Sequence, residues 1–138
     1  MRLAPNPLRR SRRGKGQDLE PILMVRTAAV LLTLTALGGL AMAGIRFAGD
    51  KQPPAWLAML HGLLASAAVT LLIYAQATVG LPGIALGALI LFVFAALGGA
   101  YLNLNYQWKQ VLLPKGLVVG HALIAVIGFV MLLVAALR

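Results

Sequence analysis

Four long apolar runs, near residues 23–46, 55–77, 83–104 and 116–137, alternate with short polar breaks along the chain. Each run is long enough to cross a hydrocarbon core of about 30 Å at about 1.5 Å per residue. Lipid offers no partner for a backbone N–H or C=O, so runs of this kind predict helices, which satisfy those groups internally. The expected fold class is therefore all-α: an integral membrane four-helix bundle, up-down-up-down. The first run is too long, and starts too far from the N-terminus, to read as a cleaved signal peptide.

A second pattern lies over the first. Shifted by sixty residues, positions 28–75 align with 88–135 without a gap, and thirteen of the forty-eight pairs are identical. Ala36-Leu37-Gly38-Gly39 matches Ala96-Leu97-Gly98-Gly99, Pro54 matches Pro114, and Leu57, His61, Leu63 and Ala65 match Leu117, His121, Leu123 and Ala125. The chain thus reads as a duplicated helical hairpin, repeat 1 about residues 22–79 and repeat 2 about 82–138, preceded by a basic tail over 1–21. Two crossings per unit mean that both halves enter the membrane in the same direction, related by an axis along its normal. Helices two and four then stand diagonally across the bundle.

Composition agrees with the membrane class: 61% hydrophobic, 11% charged, mean hydropathy +0.91. The net charge of +9 does not point to nucleic acid, because six of the twelve basic residues crowd into Arg2–Lys15, ahead of the first apolar run. Seven basic residues up to Arg26, with Arg138, stand against Arg46, Lys51, Lys109 and Lys115 on the other side. The positive-inside rule places both termini in the cytoplasm, and the location expected is a bacterial inner membrane. The tail is expected to be mobile and able to touch anionic lipid.

There is no cysteine, which removes disulfides, thiolate metal sites and covalently attached haem. The acids, Asp18, Glu20 and Asp50, all fall outside the apolar runs, so no buried carboxylate relay can be built. Nucleophilic hydrolase chemistry lacks an orienting acid for Ser66 or Thr70. A copper site drawing on Met59 has no recognisable spacing.

What remains is the pair His61 and His121, the only matched residues that can ionise. Each lies six residues inside the outer end of its helix, about 9 Å deep, so the two share one level. A square bundle has a diagonal of roughly 14 Å between helix axes, a gap that suits a six-coordinate iron with a histidine on each side. Ala65 and Ala68 follow His61 at helical spacing, as Ala125 and Gly128 follow His121, and offer flat space on the same faces. Gly38-Gly39 and Gly98-Gly99 lie at the same depth, where missing side chains would admit a macrocycle or simply let helices pack closely.

With its four crossings, two histidines and two glycine pairs, the chain resembles the small b-type membrane cytochromes, which include cytochrome b561-like carriers and the membrane anchors of quinone-linked dehydrogenases. The resemblance spans residues 23–137. It implies one haem b held axially by His61 and His121 as metal ligands, with Gly38, Gly39, Gly98, Gly99, Ala65 and Ala125 around it and Arg46 meeting a propionate. It also implies electron transfer between a quinone pool and a periplasmic redox protein or other subunits of a membrane complex, with quinone as a further candidate ligand. Two histidines cannot serve the second haem of the commoner members. Two other readings stand beside it: a cofactor-free structural or assembly subunit, and a subunit that binds chlorophyll-type pigments, one magnesium per histidine.

Overall fold

The computed structural model describes the backbone of residues 7–137 and the side chains of residues 21–137. Its elements are α1 (Pro7–Gly49), α2 (Ala55–Thr78), α3 (Gly83–Leu102), a π-helical segment (Asn103–Gln107) and α4 (Lys115–Leu137). The four apolar runs are these four helices, and the portion of α1 apolar enough to span a membrane is Pro21–Gly49. The helical backbone of α1 begins within the segment read as the basic tail. Extending an existing helix avoids the cost of nucleation. Residues 1–6 of that tail, and the side chains of its remainder up to residue 20, lie outside the described residues.

α1 packs chiefly on α2 and α3 on α4, and the two hairpins meet along α1–α4 and α2–α3, which leaves α2 and α4 diagonal. This is the up-down-up-down bundle of a duplicated hairpin. One end carries the short α2–α3 turn and the C-terminus. There Gly80 adopts φ 76°, a left-handed cap reached with little penalty by glycine, while its N–H and that of Val79 close on Ala75 O at 3.0 Å. At the same end the Arg26 Nε donates to Ala136 O at 3.2 Å and closes α1 onto the last turn of α4.

The opposite, loop-rich end carries the α1–α2 and α3–α4 connections. The repeat persists here in the backbone even where the residues differ: Asp50 and Gln110, sixty apart, both take a left-handed φ, 48° and 55°. The sealed core does not extend evenly between the two ends. It gathers toward the terminal end around Leu32, Leu72, Leu89, Phe92 and Leu132. Over Ala55–Ala67 of α2 and Lys115–Ile127 of α4 no residue is fully buried. With lipid as solvent, apolar burial does not drive the helices together, so tight packing and a few hydrogen bonds must hold the bundle. Gly128 shows the packing term: a Cβ there would lie 3.3 Å from Leu91 Cβ and Phe92 Cε1 and 3.4 Å from the Ala88 carbonyl oxygen.

Candidate functional site

Both histidines sit six residues into their helices, on the inward faces, half-buried on the loop-rich side of the apolar core. The His61 Nδ1 lies 2.9 Å from Thr35 O, and the His121 Nδ1 lies 3.0 Å from Ala95 O. Thr35 and Ala95 are themselves equivalent positions of the repeat, so the duplicated unit includes a hydrogen bond as well as a residue.

The glycine pairs explain how an imidazole reaches a helix carbonyl. In an α-helix the carbonyl of residue i lies beside residue i+4, whose Cβ normally shields it. The residues at i+4 from Thr35 and Ala95 are Gly39 and Gly99. A Cβ on Gly39 would stand 3.0 Å from His61 Cε1 and 3.3 Å from its Nδ1; on Gly99 it would stand 3.2 Å from His121 Cε1. At Gly38 and Gly98 the nearest imidazole or Cβ atoms are 3.8 Å away, ordinary contact. The clearance at the glycines thus belongs first to the histidine rings, each on the neighbouring helix of its own hairpin. The flat space expected beside them is shorter than the sequence suggests, because Ala68 and Gly128 are buried in packing; Ala65 and Ala125 remain partly open.

A backbone carbonyl only accepts, so each Nδ1 must carry the proton, and a ring protonated there alone keeps a lone pair on Nε2. Neither Nε2 has a hydrogen-bond partner among the described residues, and neither is sealed from access. From diagonal helices the two rings come to a centroid separation of 6.2 Å with their planes at 66°. A metal ion bound about 2 Å from each Nε2 would set the centroids roughly 6 Å apart, since each centroid lies about 1 Å behind its nitrogen. Any angle between the ring planes suits such a bond, because each plane contains its own metal–nitrogen axis. The same separation also fits an edge-to-face aromatic pair. Among the described residues no group of three or more His, Cys, Asp or Glu comes together. Met59 is exposed, away from the bundle interior where a third copper ligand would be needed.

Arg46 is engaged in a way the sequence did not reveal. Its Nε donates to Leu113 O at 2.6 Å and its guanidinium pairs with Asp50 at 2.5 Å, while Lys115 reaches the same carboxylate at 3.0 Å. The residue singled out for a propionate already holds an internal carboxylate. Also missed was a knot of amides. Gln107, buried at the end of the π-helical segment, donates from Nε2 to Pro53 O and accepts at Oε1 from Gln52 Nε2, both at 2.8 Å. The two long connections are thereby bonded across the loop-rich end. The wide turn is what aims Gln107 inward: Trp108 N–H reaches back five residues to Asn103 O at 2.7 Å.

The Lys115 ammonium, followed by the Arg46 guanidinium, holds the Asp50 carboxyl below the usual carboxylate range. A lowered value in the folded state stabilises above the unfolded carboxyl's value of about 4 and is lost as pH falls through the folded one. Thermal melts of the wild type and Asp50→Asn should therefore differ by a constant small amount from neutral pH down to about pH 5 and converge at lower pH. A gap that widens on acidification would contradict this. Asp50 itself is exposed, so the pair's worth is modest.

Comparisons with protein families, with curated proteins and with solved structures return no match for this chain.

Proposed function

We propose that the protein is a b-type cytochrome subunit: His61 and His121 hold one haem b between α2 and α4, and the bundle passes electrons between a quinone pool and a partner redox protein in a respiratory or dehydrogenase complex. The observation that carries this reading is the pair of imidazoles from diagonal helices, each held through Nδ1 at a helix carbonyl, with a ring separation that suits a shared metal. Each Nδ1–H bonded to a carbonyl is the support that metal-bound histidines regularly have, fixing tautomer and ring orientation. Ala65 and Ala125, partly open beside the histidines, are small residues that would let a flat macrocycle approach, and the apolar core lies toward the terminal end. When bound, haem iron supplies reversible one-electron chemistry; the protein's own part is to ligate, orient and exclude water. The loop-rich end faces the periplasm in this reading, so the haem lies near the outer surface of a bacterial inner membrane.

The test is optical. Full-length protein purified from haem-replete cells should show a reduced-minus-oxidised spectrum of low-spin haem b at one haem per chain. A colourless protein would leave the cofactor-free reading, with the histidines as packing residues. A red or near-infrared band without a Soret change would favour separate chlorophyll-type pigments, since magnesium needs only one of the two nitrogens.

A further inference from the structure

Each histidine is anchored inside its own hairpin, His61 on α1 and His121 on α3, so neither anchor fixes the distance between the rings. Their 6.2 Å separation depends on how one hairpin stands against the other. Among the described residues, the side-chain bonds that cross between hairpins lie at the two ends of the bundle: Arg26 at the terminal end, and Arg46, Gln52, Gln107 and Lys115 at the loop-rich end, the end nearer the histidines.

Two of these bonds obey the repeat. Gln107 Nε2 donates to Pro53 O at 2.8 Å, and Arg46 Nε donates to Leu113 O at 2.6 Å. Pro53 and Leu113 are sixty residues apart, equivalent positions, and each stands eight residues before a histidine. Each also precedes a proline whose carbonyl is the first its helix uses: Ala58 N–H donates to Pro54 O at 3.2 Å and Val118 N–H to Pro114 O at 3.1 Å. The carbonyl one residue earlier therefore falls outside the helical ladder and needs a partner from elsewhere. In both cases the opposite hairpin supplies it, from the end of α1 for the α4 side and from the end of the α3 extension for the α2 side. The donors themselves are not equivalent in sequence, since Arg46 corresponds to Tyr106. The wide turn over Asn103–Gln107 makes up the difference: a π turn takes one residue more than an α turn, so position 107 arrives where 106 would stand in an unbroken helix. Both donors are buried.

We propose that Gln107 and Arg46 are positioning residues for the histidine pair: each clasps the carbonyl at the start of the opposite hairpin's histidine helix, and together they set the separation of the rings. Eight residues of helix are about 12 Å, so a helix pinned at that carbonyl carries its histidine at a fixed reach from the clasp. The apolar core around Leu72 and Leu132 pins the same helices toward their other ends. Release of a clasp then lets the loop-rich ends of α2 and α4 swing apart about that core. Gln107 is the cleaner probe, because it is neutral, whereas Arg46 is also tied to Asp50. The consequence for haem rests on the reading above; the consequence for distance does not.

The experiment measures distances between nitroxide labels by pulsed electron paramagnetic resonance on the full-length protein in lipid nanodiscs. The chain has no cysteine, so labels go only where one is introduced. Gly62→Cys with Ala122→Cys marks α2 and α4 one residue beyond the histidines, and Ala41→Cys with Gly62→Cys marks α1 and α2 of one hairpin; all three positions are exposed. Gln107→Met keeps the bulk of the side chain and removes its hydrogen bonds, and Gln107→Asn leaves the amide one methylene short of Pro53 O. Either should lengthen and broaden the α2–α4 distance by several ångströms while the α1–α2 distance stays as in the wild type. Haem affinity should fall with it by roughly fivefold, the scale of one net hydrogen bond. An unchanged α2–α4 distance overturns the proposal, and so does broadening of both distances, which would mean general loosening. If one variant does not fold, the other decides; failure of both would make Gln107 a folding residue and overturn it too. A wild type that takes up no haem defeats the haem reading and leaves the two distances to judge the clasp. Haem bound by a wild type whose α2–α4 distance is indifferent to Gln107 defeats the clasp alone.

Discussion

His61→Ala and His121→Ala should each abolish the low-spin haem spectrum completely, although either variant still possesses a histidine. In a shared site the two histidines would act as a unit: either variant would offer only one imidazole, too few to hold a haem in the low-spin state. Two independent one-histidine sites would instead lose half of the signal per mutation, so a half-intensity spectrum of unchanged shape would rule out the shared metal. Unfolding can be separated from ligand loss, because neither ring belongs to the sealed core around Leu72 and Leu132. Removing one imidazole also leaves Thr35 O or Ala95 O with its ordinary partner inside the helix. Far-ultraviolet circular dichroism should therefore stay close to wild type while the haem bands disappear.

Why the pairing is expected to be so sharp follows from what the sequence did and did not make legible. Hydropathy alone located four helices, since in lipid a long apolar run has no other stable form. The sixty-residue repeat went further and put His61 and His121 at one depth on diagonal helices, so their meeting required only that the repeated faces turn inward. The acceptors Thr35 O and Ala95 O were not legible. They are main-chain atoms of residues with no shared side-chain chemistry, and only their place four residues before a glycine marks them. That spacing was visible as Thr35-Ala36-Leu37-Gly38-Gly39 and Ala95-Ala96-Leu97-Gly98-Gly99, but small residues in membrane helices have a general packing role, which hid the specific one. The loop contacts were further out of reach: Gln52 meets Gln107, and Arg46 meets Leu113 O, only because the chain returns to the same end of the bundle twice. The π-helical turn that aims Gln107 inward has no sequence signature comparable to an apolar run.

The second large effect should come from a single methyl group on the helix facing His61. Gly39→Ala places Cβ 3.0 Å from His61 Cε1 and 3.3 Å from Nδ1, closer than carbon atoms of a rigid ring tolerate. The methyl also covers the Thr35 carbonyl, so the imidazole must withdraw from its anchor as it moves away. Helix propensity works in the opposite direction, since alanine is favoured over glycine within a helix by about 1 kcal/mol, and it offsets part of the cost of displacing the ring. Loss of an outer-shell anchor to a metal-bound histidine costs about 10–100-fold in affinity, and that is the expected fall in haem affinity for Gly39→Ala. Gly99→Ala, with its closest approach at 3.2 Å, should fall less, and Gly38→Ala and Gly98→Ala, at 3.8 Å, little. Gly62→Ala, with nothing within 4 Å, should leave affinity unchanged and stability equal or slightly higher. Gly128→Ala should show the reverse dissociation, a lower thermal midpoint from its clash with Leu91, Phe92 and the Ala88 carbonyl, with a spectrum of normal shape. Haem titration and melting of these six variants would place the glycines on two separate scales. Equal haem affinity in Gly39→Ala and Gly62→Ala would mean that the carbonyl anchor does not govern the site, and the symmetry between the halves would then be a relic of duplication alone.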